Sequence, residues 1–168
     1  MIKKSLLLLM VSALLCCTSF MVYLIIERVN HKRLTRHGLQ NLDNFPLFDF
    51  DSVRFHLSAN RKTMVVYFDS ECDHCQYEIN QIFINRNSFN DSDIILMSSE
   101  LISTIKRYAE KSCSGDLHNI RFTKINPDEA YETFGSLAVP QIFIYGADGM
   151  LIKEFKGETK IDVVLQYL

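Results

Sequence analysis

The chain has 168 residues, of which 48% are apolar and 23% charged, a composition typical of one globular domain with a short additional element. The formal charge of −2 is unevenly distributed. Residues 1–36 carry six Lys or Arg and one acid, whereas the rest carries 12 basic and 19 acidic residues. An acidic body without a basic stripe disfavours nucleic-acid binding, so we expect no nucleic-acid partner.

An uncharged segment of 22 residues runs from Ser5 to Ile26. As a helix it would span about 33 Å, enough to cross a hydrocarbon core of about 30 Å. We therefore predict an uncleaved transmembrane anchor over residues 1–27. Cleavage as a secretory signal and lipidation at Leu14-Leu15-Cys16-Cys17 remain alternatives. Lys and Arg residues flank the segment on both sides, so charge alone does not predict its orientation.

Residues 28–46 are polar and predict a juxtamembrane connector, followed by a domain over residues 47–168. Alternating apolar residues predict short strands at 48–50 and 53–57. The later pattern predicts strands at 64–68, 94–97, 120–125, 141–145 and 151–155, with helices after the cysteines at 72 and 75, after a start at 98–100, from 126 and from about 160. This order predicts an α/β fold with a central mixed sheet, parallel in its first half and closed by an antiparallel hairpin.

Cys72 and Cys75 form a C-x-x-C directly after the strand predicted at 64–68 and at the start of a helix. The helix amino terminus favours negative charge on the first sulfur, and the two-residue spacing lets the second cysteine resolve a mixed disulfide. We therefore predict that Cys72 is the nucleophile and that Cys75 is the resolving thiol. His74, between them, would modulate the pair as a donor or cation.

Four carboxylates lie near the two cysteines in the sequence and oppose negative charge on sulfur: Asp69, Glu71, Asp73 and Glu78. Strong oxidants of this chemical type depend on a stabilised thiolate. The surrounding acids therefore favour a reductant or an isomerase over a strong oxidant.

A metal-binding module is the alternative interpretation. Cys72, Cys75, Cys113 and His118 could form a Cys₃His zinc site, although Cys113 and His118 lack the close spacing of a second zinc knuckle. Copper delivery would require a C-x-x-x-C, which is one residue longer than the spacing here. We expect no metal ligands and no cofactor, and we assign Cys113 no role.

The segment Val65-Val66-Tyr67-Phe68 before C-D-H-C resembles the strand and active-site turn of the thioredoxin-like fold family. The segment from Phe134 to Tyr145 resembles the part of that family that carries a cis-proline. The anchor and the additional early strands make the chain most similar to the membrane-anchored TlpA/ResA-like redoxins.

The resemblance implies a thiol–disulfide oxidoreductase that faces the extracytoplasmic (periplasmic) space and acts on protein thiols and disulfides. It also implies that Val139 binds substrate through its backbone and that Pro140 lies beside the cysteines. A membrane-bound electron donor is the partner that a tethered domain would meet. Two positions depart from the family pattern: Glu71 replaces a usual Trp, and Val66 replaces a buried carboxylate, so resolution by Cys75 requires water or another base.

Overall fold

The computed structural model describes residues 2–44, 47–50, 60–112, 118–135 and 138–168. Within the first helix, side chains are described only for residues 10–29 and Leu39. The strand predicted at 53–57 lies outside these ranges, as does Cys113.

Five strands form one mixed sheet in the described part of the chain. Their bounds are β1 Lys62–Tyr67, β2 Ser92–Ser98, β3 Ile120–Lys124, β4 Gln141–Tyr145 and β5 Leu151–Lys156. Across the sheet the order is β3-β2-β1-β4-β5. β1 pairs in parallel with β2, and β2 pairs in parallel with β3. β4 is antiparallel to both β1 and β5. The predicted mixed α/β sheet and its closing hairpin are confirmed.

The helices are α1 Ile2–Leu39, α2 Asp73–Ile84, α3 Ile102–Ser112, α4 Pro127–Phe134 and α5 Ile161–Leu165. The predicted start of α4 is confirmed, since Asn126 caps it by accepting the Asp128 N–H and Pro127 occupies the first turn. Gly135 ends this helix with a φ of 66°, a conformation that glycine adopts without a steric penalty.

The sheet is covered on both faces, because its central strands are buried throughout. On one face, residues of α2, α3 and α5 pack around Met64, Val66 and Leu96. On the other face, Val65, Tyr67 and Phe143 pack against α4 and against the end of α1. Strands buried on both faces explain the continuous apolar runs in the sequence.

Helix α1 contains one segment long and apolar enough to cross a membrane, Met10–Val29, whose side chains are exposed. The helix continues without a break to Leu39, so most of the residues predicted as a connector are helical. Leu39 and Leu42 are buried against the domain. The backbone then bonds to the β4–β5 hairpin: Leu42 N–H donates to the Gly149 carbonyl, and Leu151 N–H donates to the Gln40 carbonyl.

Two local predictions were wrong. The strand predicted at 48–50 is reduced to a single bridging residue, Phe48, and its neighbours are not extended strand. The helix start predicted at 98–100 is also displaced, because Ser98 ends β2 and α3 begins only at Ile102. Glu100 turns instead toward the loop that precedes the cysteines, where its carboxylate accepts hydrogen bonds.

Candidate active site

The C-x-x-C lies at the edge of the sheet where β1 ends. Because β1 and β2 are parallel, the helices that follow them both begin at this edge. Cys72 is the N-cap residue of α2, with an extended backbone (φ −84°, ψ 115°). The helix therefore directs its free N–H groups at the Cys72 sulfur.

The two cysteines have different surroundings. Cys72 is partly exposed and its Sγ accepts a hydrogen bond from the Cys75 backbone N–H at 3.3 Å. Cys75 is completely buried in the core face that contains Val66 and Ile79. No disulfide joins them in this structure. The structure thus places an accessible sulfur at the helix terminus and a shielded sulfur one turn further along.

Burial raises the pKa of the Cys75 thiol well above its ordinary value, and the neighbouring Cys72 adds to this increase. A backbone hydrogen bond at Asp69 acts in the opposite direction but is the weaker effect. Cys75 is therefore a protonated thiol at neutral pH, and it needs a proton acceptor before it can attack another sulfur.

Glu100 holds the turn that leads to Cys72. Its carboxylate accepts the Ser70 N–H at 2.8 Å and the Ser70 hydroxyl at 2.7 Å. The same carboxylate accepts the Ser98 hydroxyl at 3.0 Å. From the other side, the Gln76 amide donates to the Ser70 carbonyl at 2.7 Å. Ser70 is thus fixed by bonds to the end of β2 and to the first turns of α2.

His74 is bonded to a residue distant in sequence. Its Nδ1 lies 2.7 Å from Glu158 Oε2, in the loop between β5 and α5. His74 is largely exposed, with 73% of its side chain accessible. The sequence predicts that His74 modulates the charge of the two sulfurs, and in the structure this imidazole is also bonded to the carboxylate of Glu158.

The burial of Glu78 is a feature of this site that the sequence pattern did not reveal. Glu78 is completely buried, and its Oε2 accepts the Thr159 N–H at 2.8 Å. Its Oε1 has no hydrogen-bond partner among the described residues. Burial is the largest effect and raises the pKa of Glu78 to about 7, although the hydrogen bond from the Thr159 N–H lowers this pKa in part. The charge of Glu158 adds a smaller increase.

Glu78 lies three residues after Cys75 on α2, a spacing that puts the two side chains on one helix face with about 5–6 Å between their Cβ atoms. The position where the family carries its carboxylate holds Val66, which is buried in the same apolar cluster as Cys75. The structure thus offers a buried acid that titrates near neutral pH, supplied from the helix rather than from the strand.

The segment before β4 reaches the same edge of the sheet. Gln141 pairs with Tyr67, the last residue of β1, and the Val139–Pro140 peptide bond is cis, as the resemblance implies. The Pro140 carbonyl accepts the Gly157 N–H at 2.8 Å. Among the described residues, the backbone groups of Val139 form no hydrogen bond, which leaves them available to an extended chain.

The remaining predicted residues do not join this cluster. His118 precedes β3 and therefore lies at the end of the sheet opposite Cys72, a strand's length away. This separation argues against the Cys₃His zinc site, whose third cysteine lies outside the described residues. Among the described residues, no group of three or more His, Cys, Asp or Glu side chains could hold a metal ion. Cys16 and Cys17 are exposed on the apolar helix.

No family model and no curated protein matches this chain. Solved structures do match it. The putative thioredoxin of Neisseria meningitidis is 16% identical with a TM-score of 0.60, and the match covers 73% of this chain and 83% of that one. The exposed lipoprotein thioredoxin of Streptococcus pneumoniae is 20% identical with a TM-score of 0.57, over 73% and 95% of the two chains.

A secreted disulfide oxidoreductase of Mycobacterium tuberculosis, described as homologous to DsbE of E. coli, is 10% identical with a TM-score of 0.59. That match covers 73% of this chain and 92% of the other. At these identities the likeness concerns architecture. The chain therefore has the thioredoxin-like fold that these proteins share.

Proposed function

We propose that the protein is a membrane-anchored thiol–disulfide oxidoreductase in which Cys72 attacks and Cys75 resolves. The observation that carries this proposal is the geometry of the pair. An accessible sulfur caps a helix at the end of a buried strand, and a shielded thiol lies one turn away. A cysteine that only binds a metal or packs in the core requires neither a helix-capping position nor a partner thiol of different burial.

In the reducing direction, the Cys72 thiolate attacks one sulfur of a substrate disulfide. A Cys72–substrate disulfide forms, and the other substrate sulfur leaves with the electron pair and takes up a proton. Cys75 then loses its proton, attacks the Cys72 sulfur and releases the second substrate thiol. The substrate disulfide has gained two electrons, and the protein now holds a Cys72–Cys75 disulfide.

Glu78 is the residue best placed to accept the Cys75 proton. It lies three residues after Cys75 on the same face of α2, both side chains are buried, and its pKa of about 7 leaves a large fraction ionised at neutral pH. Val139 supplies free backbone groups where the substrate chain would pass Cys72. His74, bonded to Glu158, modulates the charge at the sulfurs.

The proposed location is the extracytoplasmic side of a membrane, with Met10–Val29 as the span. Disulfide chemistry persists in oxidising compartments outside the cytoplasm. Two of the similar structures are described as a secreted protein and as an exposed lipoprotein, which supports the same side for this chain. A membrane-bound electron donor would reduce the Cys72–Cys75 disulfide again after each reaction.

Trapping of mixed disulfides tests this proposal. With Cys75→Ala, the attack by Cys72 occurs but resolution does not, so partner proteins should remain covalently attached and be released by a reducing agent. The matched control is Cys72→Ala, which should trap none of them. Equal trapping by the two variants, or trapping through Cys113, would contradict the assigned roles.

A further inference from the structure

A cleft between α2 and α3 begins beside the cysteines. Both helices start at the active-site edge and run in the same direction, since they follow the parallel strands β1 and β2. The cleft between them has a volume of about 520 Å³. Ser70 and Glu71, the residues just before Cys72, line the end of the cleft nearest the cysteines.

The cleft changes character along its length. Ile79 and the half-buried rings of Phe83 and Tyr108 contribute apolar surface, among polar side chains of both helices. Farther from the cysteines, Arg107 and Lys111 line the α3 side. They are four residues apart and therefore lie on one face of the helix. Neither forms an ion pair within the described part of the chain.

Two exposed cations in one cleft are notable because the body of the chain carries 12 basic and 19 acidic residues. A paired or scattered distribution would leave little local positive charge, whereas here two cations without an ion-pair partner among the described residues line one side of a cleft that begins beside the cysteines. The charge that complements this part of the cleft is negative. The geometry points to a docking site for the substrate protein, one that takes an extended segment with acidic residues flanking the reactive cysteine.

This inference rests on the proposed function and specifies its substrate class. Arg107 and Lys111 lie about 4 and 10 Å along α3 from Thr104, which lines the end of the cleft nearest the cysteines. An extended chain covers 10 Å in about three residues. Because the chain must also pass from Cys72 to the entrance of the cleft, the preferred substrate carries its acidic side chains several residues from its cysteine, on the side that leaves Val139 and enters the cleft. Glu71, at the entrance, disfavours an acid directly beside the cysteine.

Two synthetic peptides test the docking site. Each contains a single cysteine in a mixed disulfide with 2-mercaptoethanol, and they differ only in carrying two Asp or two Asn residues on each side of the cysteine, three to five positions away. The reduced full chain in nonionic detergent reacts with each at low ionic strength, releasing the peptide thiol and 2-mercaptoethanol as the Cys72–Cys75 disulfide forms. We expect the acidic peptide to react about tenfold faster, with the preference falling in 0.5 M salt.

In the double variant Arg107→Gln/Lys111→Gln, the ratio of the two rates should fall to about one. Arg86→Gln, which removes an exposed arginine beyond the end of α2, should retain the tenfold ratio. Equal rates for the two peptides in the wild-type chain, or an unchanged ratio in the double variant, would overturn the docking site.

A binding measurement separates failure of the docking site from failure of the redox function. Fluorescence anisotropy with Cys→Ser versions of both peptides should show tighter binding of the acidic one, lost in the double variant. If the chain reduces hydroxyethyl disulfide but shows no charge preference in rate or binding, the docking site is wrong and the function stands. If it reduces no disulfide yet binds the acidic peptide selectively, the function is wrong and the docking site stands.

Discussion

The two ends of the sheet are held together by different kinds of interaction. At the active-site end, the turn before Cys72 depends on polar side chains, above all the bonds from Ser70 to Glu100. At the other end, where α1 meets the β4–β5 hairpin, the chain is held by buried leucines and by backbone hydrogen bonds. Apolar burial and backbone bonds do not titrate, whereas carboxylates do. We infer that pH and single charge changes act on the reactive end and leave the anchored end unaltered.

The largest expected effect belongs to the anchored end. Leu42→Ala removes a side chain buried in the apolar cluster that also contains residues of α4 and of the β4–β5 hairpin. A buried Leu→Ala substitution costs roughly 2–5 kcal/mol, through lost burial and the cavity that remains. We expect this loss in the free energy of unfolding, measured by denaturant titration in detergent, to be the same at pH 5 and pH 8. Leu101→Ala, at a site 70% exposed, should change the free energy of unfolding by less than about 0.5 kcal/mol.

A loss for Leu42→Ala that varies with pH would show that the junction depends on titrating groups. The contrast between the two ends would then be wrong.

Glu78 is expected to produce the largest effect of pH. Its pKa is about 7 in the folded chain against 4.5 ordinarily, so the folded chain binds more protons between these values. The free energy of unfolding therefore falls as the pH rises from about 4.5 to about 7, and it is level above that range. Glu78→Gln keeps the shape but cannot ionise. It should exceed the wild type by up to about 3 kcal/mol at pH 8 and equal it below pH 4.5.

The same variant separates structural from catalytic roles of Glu78. If Glu78 accepts the Cys75 proton, Glu78→Gln should slow release of the mixed disulfide about tenfold or more at pH 7, without slowing the first attack by Cys72. Stopped-flow kinetics with a chromogenic disulfide resolves the two steps. Glu110→Gln, an exposed acid on α3, is the control and should alter neither. Slowing of both steps would reduce Glu78 to a structural group.

Several parts of this architecture could be predicted from the sequence because their signals are local. The C-x-x-C after a continuous apolar strand, the Asn126-Pro127 helix start and the glycine-rich hairpin turn each depend on neighbouring residues. The burial of Glu78 could not, since a carboxylate on a helix is ordinarily solvated and Thr159 lies 81 residues away. For the same reason, the sequence gives no basis for distinguishing Glu78, which is buried, from the other three acids near the cysteines, which are not.

The roles of Glu100 and Glu158 were also missed. Ser98-Ser99-Glu100 has the composition of a helix start, but its acid bonds to Ser70, 30 residues earlier. Glu158 meets His74 across 84 residues. Each contact depends on strands and loops that meet at one edge of the sheet, and no local pattern contains that information. The continuation of α1 to Leu39 was missed because polar residues after an apolar span suggest a connector.

Glu100→Gln should loosen the reactive turn. The substitution removes the charge that strengthens two hydrogen bonds to Ser70, and bonds to a charged group contribute about 1.5–3 kcal/mol each. Since the amide of Gln retains one acceptor, we expect a net loss of about 1–2 kcal/mol, localised at the turn. Hydrogen exchange at the Ser70 amide should accelerate about tenfold. Hydrogen exchange at the Leu42 amide, at the anchored end, should stay unchanged. Faster exchange at both amides would contradict the claim that Glu100 stabilises only the turn before Cys72.

The smallest expected effect concerns the reduction potential. Glu158→Gln leaves the positive charge of a protonated His74 without its carboxylate, which favours the reduced form through a more stable thiolate at Cys72. The pair is exposed and its effect on the sulfur is indirect, so we expect a potential more positive by no more than about 20 mV. Equilibration with glutathione buffers measures this shift. Glu132→Gln, an exposed acid on α4, should leave the potential unchanged.

The most direct test of the redox pair is a titration of the full chain against buffers of known potential, followed by mass spectrometry of thiol-labelled peptides. Cys72 and Cys75 should lose and regain two hydrogens together in one two-electron transition. The acids around them place its midpoint well below that of a strong oxidant at about −120 mV. If the two cysteines titrate separately, pair with Cys113 or have a midpoint near −120 mV, the account of this site is contradicted.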